Sequence, residues 1–124
     1  KRQVDGTIPI VKAYAGMQGD LLEAIAHTKV DGLVIEALGA GNLPPQALAA
    51  LEKLLVQKIP VVLVSRCFNG IAEPVYDYEG GGKELEKMGI IFCNSINSQK
   101  ARLKLLIAVN YGLSGEELIS FIQN

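Results

Sequence analysis

The sequence predicts an α/β domain with a four-stranded parallel sheet and helices on both faces, a three-layer Rossmann-like architecture. Four short β-rich runs read as continuous apolar stretches rather than as strict alternation, which is typical of strands that are covered on both sides. Segments with helical spacing of apolar residues lie between and after these runs. Right-handed crossovers then make the strands parallel. At 124 residues, the chain is expected to form one domain, residues 1–124.

Each element follows from a local pattern. The predicted strands are Ile8–Tyr14, Gly32–Ala37, Pro60–Ser65 and Gly89–Cys93. Asp20 is expected to cap the first helix, and the pair Pro44-Pro45 suits the first turn of the second. The markers of the other helices are Leu85 and Met88 for the third, Asn97 or Ser98 as the cap of the fourth, and a capping box of Ser114 with Glu117 for the fifth.

Composition excludes several classes of protein. The formal net charge of −1 gives no electrostatic reason to expect nucleic acid or an anionic membrane as a partner. Basic residues gather at Lys100, Arg102 and Lys104, and we expect them to form a solvated helix face. The longest apolar runs have the length of strands, so no transmembrane helix is expected, and the first ten residues do not resemble a signal peptide. A cytoplasmic location is therefore expected.

The cysteines do not predict a disulfide framework or a four-ligand zinc site, because there are two of them. Cys67 and Cys93 each follow a predicted strand and are interpreted as small apolar residues at strand ends. The single histidine, His27, leaves a Cys–His pair as an alternative.

Polar residues concentrate after the carboxyl ends of the predicted strands, where parallel α/β sheets bind their ligands. The segments are AGMQGD, LGAGNLPP, RCFNGIAEPVYDYEGGG and NSINSQ. Asn42 stands in the second of them. Either it serves the turn, because Gly and Asn tolerate positive φ, or its side chain points at a ligand.

Two glycine-rich tracts invite nucleotide-binding interpretations, and both fit poorly. GAG is followed by Asn42, Leu43 and two prolines, so the third glycine of a dinucleotide fingerprint is missing. The prolines also remove N–H groups that would bind pyrophosphate. EGGGKE is not preceded directly by a strand, as a phosphate-binding loop requires.

The long segment after the third strand carries paired acidic and aromatic residues. Asp77 and Glu79 alternate with Tyr76 and Tyr78. A solvated loop is the simpler interpretation, whereas long ordered loops in compact domains often have a function. No serine or threonine stands in a recognisable nucleophile motif.

Three long motifs follow one another in the chain: GLVIEALGAGNLP, PVVLVSRCFNG, and VYDYEGGGKELEKMGIIFCNSINSQKARLKLL. Their order and spacing, and in particular GAGN, SR at the end of a strand and QKAR at the start of a helix, resemble the C-terminal domain of bacterial L-asparaginases. The resemblance extends from PIVKAYAGMQGDLL to the last helix.

The resemblance implies hydrolysis of L-asparagine to L-aspartate and ammonia by a threonine nucleophile, without a metal or organic cofactor. It also implies that the catalytic threonine motifs, with an assisting lysine and aspartate, belong to a larger N-terminal domain that this chain lacks. Thr7 and Thr28 do not match those motifs. The chain alone is therefore expected to be inactive.

The resemblance further implies that this domain completes the active site of a partner subunit. The asparagine of the GAGN turn matches Asn42. A carboxylate after SR holds the substrate's α-ammonium, and an ungapped count places it at Asp77, while Glu79 or the hydroxyl of Tyr76 are alternatives. The expected partners are L-asparagine, the N-terminal domain and a second subunit, in a homodimer or homotetramer.

Two hypotheses of different classes remain. The chain is either the dimer-forming, substrate-completing domain of an L-asparaginase, or a stand-alone Rossmann-like module that binds a small polar ligand without catalysis. The glutamyl-tRNA amidotransferase subunit built on the same fold is the nearest enzymatic rival. The nearly neutral charge gives no support for tRNA.

Overall fold

The computed structural model describes residues 5–13, 19–37, 43–65, 82–93 and 96–124. It confirms the predicted α/β fold class. The strands are β1 (Ile10–Lys12), β2 (Leu33–Ala37), β3 (Val61–Ser65) and β4 (Ile91–Phe92). The helices are α1 (Asp20–Ala26), α2 (Leu48–Val56), α3 (Gly82–Met88), α4 (Ser98–Asn110) and α5 (Gly115–Gln123), and a 3-10 turn (Pro45–Ala47) leads into α2.

The strands are parallel and follow one another across the sheet in the order β1-β2-β3-β4. Val34 pairs with Ile10 on one side and Val62 on the other, and Val62 in turn pairs with Ile91. Among these strands the order never reverses. Since crossovers are right-handed, each helix that connects two strands lies on the same face of the sheet.

The packing of the two faces agrees with this topology. Neighbouring residues of a strand point to opposite faces, so Ile35 and Val34 belong to different cores. The first core contains the buried side of α1, α2 and α3, represented by Leu22, Leu51 and Leu85. The second core contains buried residues of α4 and α5, namely Ala101, Leu105, Ala108, Leu118 and Ile122. The predicted three layers are therefore confirmed.

Side chains of α4 and α5 also tie both outer strands to the helical layer. The Arg102 Nε donates a hydrogen bond of 2.7 Å to the Ile8 carbonyl, next to β1. The Gln123 Nε2 donates one of 3.0 Å to the Phe92 carbonyl in β4. These bonds fix the helices across the full width of the sheet.

The prediction that the basic residues of α4 form a solvated face is wrong for two of the three. Arg102 is engaged with Ile8, and the Lys104 Nζ donates a hydrogen bond of 3.2 Å to the Ile122 carbonyl. The same ammonium lies 5.7 Å from the centre of the Phe121 ring, within the range of a cation–π interaction. Lys100 is exposed, as predicted.

The strands are shorter than the apolar runs that predicted them. The clearest difference is at β4, predicted from Gly89 and observed from Ile91. Gly89 has a φ of +109°, and its N–H donates to the Glu86 carbonyl, while the Ile90 N–H donates to the Leu85 carbonyl. These bonds close the end of α3, so the backbone there is not free to pair with a strand.

Helix caps were predicted with mixed success. Asn97 caps α4, as one of the two predicted residues, with its Oδ1 accepting a bond of 2.8 Å from the Lys100 N–H. Asp20 is the first helical residue of α1 and not its cap, which is Gly19. Ser114 occupies the cap position of α5, but its side chain makes no capping bond. Gly115, with a φ of +57°, makes the first turn of that helix irregular.

Candidate functional site

The candidate site lies at the carboxyl edge of the sheet, which the strand register defines. Lys12, near the end of β1, pairs with Glu36 of β2, and Ala37 at the end of β2 pairs with Ser65 at the end of β3. The ends of these neighbouring strands therefore lie side by side. Ligands of open α/β sheets bind beyond such ends.

The site residues predicted from the sequence lie outside the described residues. Asn42 falls in the segment 38–42, which follows β2, and Tyr76, Asp77 and Glu79 fall in the segment 66–81, which follows β3. Cys67 also lies outside. Their proposed roles remain predictions.

The residues that flank the segment of Asn42 are firmly anchored. Ala37 is 0% exposed and Leu43 is 3% exposed, and both belong to the core between the sheet and the helices α1 to α3. Pro44 is also buried, and its carbonyl accepts the first bond of the 3-10 turn, from the Ala47 N–H at 3.0 Å. Core packing therefore fixes Ala37 and Leu43, the described residues on either side of the segment 38–42.

A charged pair of positions at this edge was missed by the sequence analysis. Lys12 and Glu36 are register partners, and both have the strand parity that faces α4 and α5, since Ile10 and Val34 pack there. Glu36 is partly buried and Lys12 is exposed. The available signal was one charged residue inside the apolar run LVIEA. These side chains place one carboxylate and one ammonium near the carboxyl ends of β1 and β2.

The start of α4 adds polar groups close to the end of β4. Asn97 accepts the Lys100 N–H, as described, and Ser98 is 4% exposed, the buried polar residue among the described ranges. Ser98 lies on the same helix face as Ala101 and Leu105, which pack on the sheet. Ser98 therefore faces the sheet, and the capping role falls to Asn97.

The two threonines, which both lie in the described ranges, do not assemble a catalytic group. The Thr28 hydroxyl donates to the Ala24 carbonyl at 2.9 Å, and the Thr7 N–H donates to the Asp31 carboxylate at 2.8 Å. Asp31 directly precedes Gly32 and β2, so Thr7 lies at the amino edge of the sheet. Thr28 thus bonds its own helix through its hydroxyl, and Thr7 is held through its backbone N–H, both away from the candidate site.

A Cys–His pair between His27 and Cys93 is not formed. The His27 Nδ1 lies 2.8 Å from the Glu23 carbonyl on the exposed side of α1, whereas Cys93 is buried on the opposite face of the sheet. The Cys93 Sγ donates to the Ile122 carbonyl at 3.5 Å. Burial raises the pKa of the Cys93 thiol, although the nearby Lys104 ammonium lowers it. Cys93 is thus the apolar filler that the sequence predicted.

A cleft of about 570 Å³ opens at the opposite, amino edge of the sheet. Its walls include Pro60 before β3, Gly89 before β4, and Leu113 and Leu118 near the junction of α4 with α5. This cleft does not coincide with the polar carboxyl edge.

Neither a metal centre nor a membrane-spanning helix is found in the described part of the chain. Within those ranges, no group of three or more His, Cys, Asp or Glu side chains is placed to hold a metal ion. None of the helices in these ranges is both long and apolar enough to cross a bilayer.

An open parallel sheet with polar segments at its carboxyl edge defines a class of α/β domains that handle small polar molecules. Within this class, the chain belongs to the glutaminase/asparaginase C-terminal domain family, whose model matches residues 7–121.

Similar proteins agree with this membership. A probable L-asparaginase of Deinococcus radiodurans is 46% identical over 114 residues, which are 90% of this chain and 33% of that protein. A glutamyl-tRNA(Gln) amidotransferase subunit of Pyrococcus abyssi is 25% identical over 117 residues, 94% of this chain and 26% of that protein. The crystal structure of L-asparaginase I from Vibrio cholerae has a TM-score of 0.79 at 24% identity, covering 94% of this chain and 35% of that one. The chain thus spans about a third or less of the length of these relatives.

Proposed function

We propose that the chain is the C-terminal domain of an L-asparaginase and that it completes the substrate site and the dimer of that enzyme. The observation that carries the proposal is the partial match to the Deinococcus relative, which covers 90% of this chain but 33% of the relative. The intact protein hydrolyses L-asparagine to L-aspartate and ammonia, and its nucleophile lies in the domain that precedes this one. It works in the cytoplasm as a homodimer or homotetramer, without a metal or organic cofactor.

The strand order supports a completing role over stand-alone binding. In open α/β sheets, the ligand crevice forms where the strand order reverses. The order β1-β2-β3-β4 of the described strands has no such reversal. The described strands thus provide no switch point for a crevice, which favours a site that a second domain closes.

The residues at this edge are proposed to position the substrate, and bond breaking falls to the preceding domain. The Asn42 carboxamide hydrogen-bonds the partner's catalytic groups or the substrate. The burial of the next residue, Leu43, supports this role. Asp77 accepts a charge-assisted hydrogen bond from the substrate's α-ammonium, with Glu79 or Tyr76 as the alternatives.

The first experiment compares the 124-residue chain with the full-length protein. Ammonia release from L-asparagine is expected from the full-length protein and not from the chain, because the chain lacks the nucleophile. Turnover by the purified chain at a rate similar to that of the full-length protein would mean that the catalytic residues are misplaced. An inactive full-length protein that binds a small polar ligand would favour the stand-alone binding module. Amide hydrolysis that requires a charged tRNA would favour the amidotransferase.

The second experiment tests Asn42 in the full-length protein. Asn42→Ala is expected to lower kcat/KM for L-asparagine by on the order of a hundredfold, since alignment of the reactants is lost. Thermal stability should change little, because the substitution removes no core side chain. Gln46→Ala is the matched control, an exposed amide four residues later in the 3-10 turn, and should leave both quantities unchanged. Normal kinetics with a lower Tm in Asn42→Ala would reduce Asn42 to a turn residue.

A further inference from the structure

The outer face of α4 presents an apolar row to solvent. Leu103 is 53% exposed and Ile107 is 40% exposed, and the four-residue spacing places them on one side of the helix. Tyr111, 68% exposed, continues this spacing. We call these three residues the α4 row. Exposed apolar side chains that lie next to one another on a helix are typical of a surface that another structure covers.

The segment that leads into the sheet runs along the flank of the same helix. The Asn110 Nδ2 donates a hydrogen bond of 2.7 Å to the Asp5 carbonyl, at the last turn of α4. The Arg102 Nε binds the Ile8 carbonyl near the first turn. Between these two ties, a Cβ on Gly6 would meet the Leu106 Cδ1 at 3.2 Å. Residues 5–8 are therefore antiparallel to α4.

The direction of this segment brings its first described residue, Asp5, to the end of α4. Arg102, Leu106 and Asn110 each stand one position before a member of the α4 row, so the flank that holds residues 5–8 adjoins that row. Asp5 sits at the last turn of α4, beside Asn110. The first described residue of the segment therefore lies beside Asn110, one helical turn from Ile107.

We propose that the α4 row is the surface on which the preceding domain of the same chain packs in the full-length protein. The inference rests on the proposed function, which supplies that domain. Among the other exposed aliphatic side chains, Ile119 at 40% lies on α5 and lines the cleft at the amino edge. Val56 at 80% and Leu21 at 49% lie on the helices of the opposite face, away from residues 5–8. They are not expected to be covered by that domain.

The test is photo-cross-linking in the full-length protein, with p-benzoylphenylalanine in place of Ile107 and, as the control, in place of Val56. Irradiation of the Ile107 variant should give cross-linked peptides from the same chain that lie before residue 1, in a product of monomer mass. The Val56 variant should give none of these peptides. Cross-links from position 107 to a second copy would assign the row to the oligomer and overturn the proposal. The same pattern at positions 107 and 56 would also overturn it.

A second measurement avoids the bulky probe. The rates at which a maleimide modifies Leu103→Cys and Val56→Cys are compared in the native full-length protein, with the modified peptides identified by mass spectrometry. Leu103→Cys should react at least about a hundredfold more slowly, because a packed surface has to open before it reacts. Equal rates would contradict the proposal. Ammonia release by the unmodified protein is measured separately, so a wrong assignment of activity and a wrong assignment of the surface give different results.

Discussion

Arg102 and Ile8 are 94 positions apart in the chain, yet the Arg102 Nε donates a hydrogen bond of 2.7 Å to the Ile8 carbonyl. Ile8 is 2% exposed, so this carbonyl has little access to water. A buried carbonyl that loses its donor incurs the desolvation penalty in full. The pair therefore ties α4 to the start of β1.

Arg102→Ala should lower the free energy of unfolding by about 1.5–3 kcal/mol, the range for a hydrogen bond from a charged group. Urea denaturation of the chain, followed by circular dichroism, measures the loss. Lys100→Ala, two positions earlier at an exposed site, is the control and should change the stability by less than about 0.5 kcal/mol. Equal effects of the two substitutions would show that the bond to Ile8 contributes nothing.

The two cap positions of α4 and α5 provide a matched pair. Asn97 accepts the Lys100 N–H at 2.8 Å, whereas the Ser114 side chain makes no capping bond. Asn97→Ala should therefore cost about 1 kcal/mol of stability, and Ser114→Ala should cost distinctly less. Thermal unfolding of both variants decides this. A larger loss for Ser114→Ala than for Asn97→Ala is incompatible with the observed caps.

The buried thiol of Cys93 predicts a loss of stability at alkaline pH. Burial raises the pKa of this thiol above its ordinary value of 9.0, against the smaller opposing effect of Lys104. Well below pH 9.0 the thiol is neutral in both the folded and the unfolded protein, so its contribution to the free energy of unfolding is fully present. As pH rises from 9.0 through the raised value, the unfolded thiol ionises first, which favours unfolding.

Cys93→Ser removes this titration and keeps a hydrogen-bond donor at the position. The denaturation midpoint of the unmodified chain should fall more steeply between pH 8 and pH 10.5, at about the range where a thiol titrates, than that of Cys93→Ser. Lysine and tyrosine titrate in both proteins, so their effects cancel in the comparison. Parallel midpoint curves would show that Cys93 has the same pKa in both states.

A substrate analogue that lacks the α-amino group distinguishes the two acidic candidates, Asp77 and Glu79. Asp77→Asn in the full-length protein should lower kcat/KM for L-asparagine by roughly tenfold to a hundredfold, as expected for the loss of a hydrogen bond to a charged group. The analogue should already be a poor substrate for the unmodified protein, and Asp77→Asn should lower its kcat/KM little further. Glu79→Gln is measured with the same two substrates. Only the carboxylate that binds the α-ammonium should show an effect that depends on the amino group. If neither does, the acidic segment is a solvated rim.

Features encoded locally in the sequence were predicted well. Four mainly apolar runs predicted four parallel strands between two helical layers, and most of the strand residues are buried, with Lys12 of β1 as an exposed exception. Element ends were predicted less well. At Gly89 and Gly115, positive φ angles close or distort a helix end, and a sequence pattern does not reveal which glycines adopt them.

Features that depend on distant parts of the chain were not predicted. The roles of Arg102 and Lys104 depend on which carbonyls the fold brings next to α4, and their local spacing indicated a solvated face. Glu36 was overlooked because nothing local connects it with Lys12, its register partner from another strand. The roles of Asn42 and Asp77 came from the family resemblance, since a turn and an acidic loop have many uses.

Hydrogen bonds from side chains of α4 and α5 already occupy outward-facing backbone carbonyls at both sides of the sheet. This occupation reduces the tendency of the sheet to aggregate through its edges. The Cys93 N–H bonds the Leu63 carbonyl inside the sheet, so the Phe92 carbonyl, one residue earlier, points outward, where Gln123 covers it. Arg102 does the same for Ile8 at the other edge. Because β1 and β4 are also short, they offer few backbone groups with which a strand of another molecule could pair. The described edges of the sheet are thus poor starting points for edge-to-edge polymerisation.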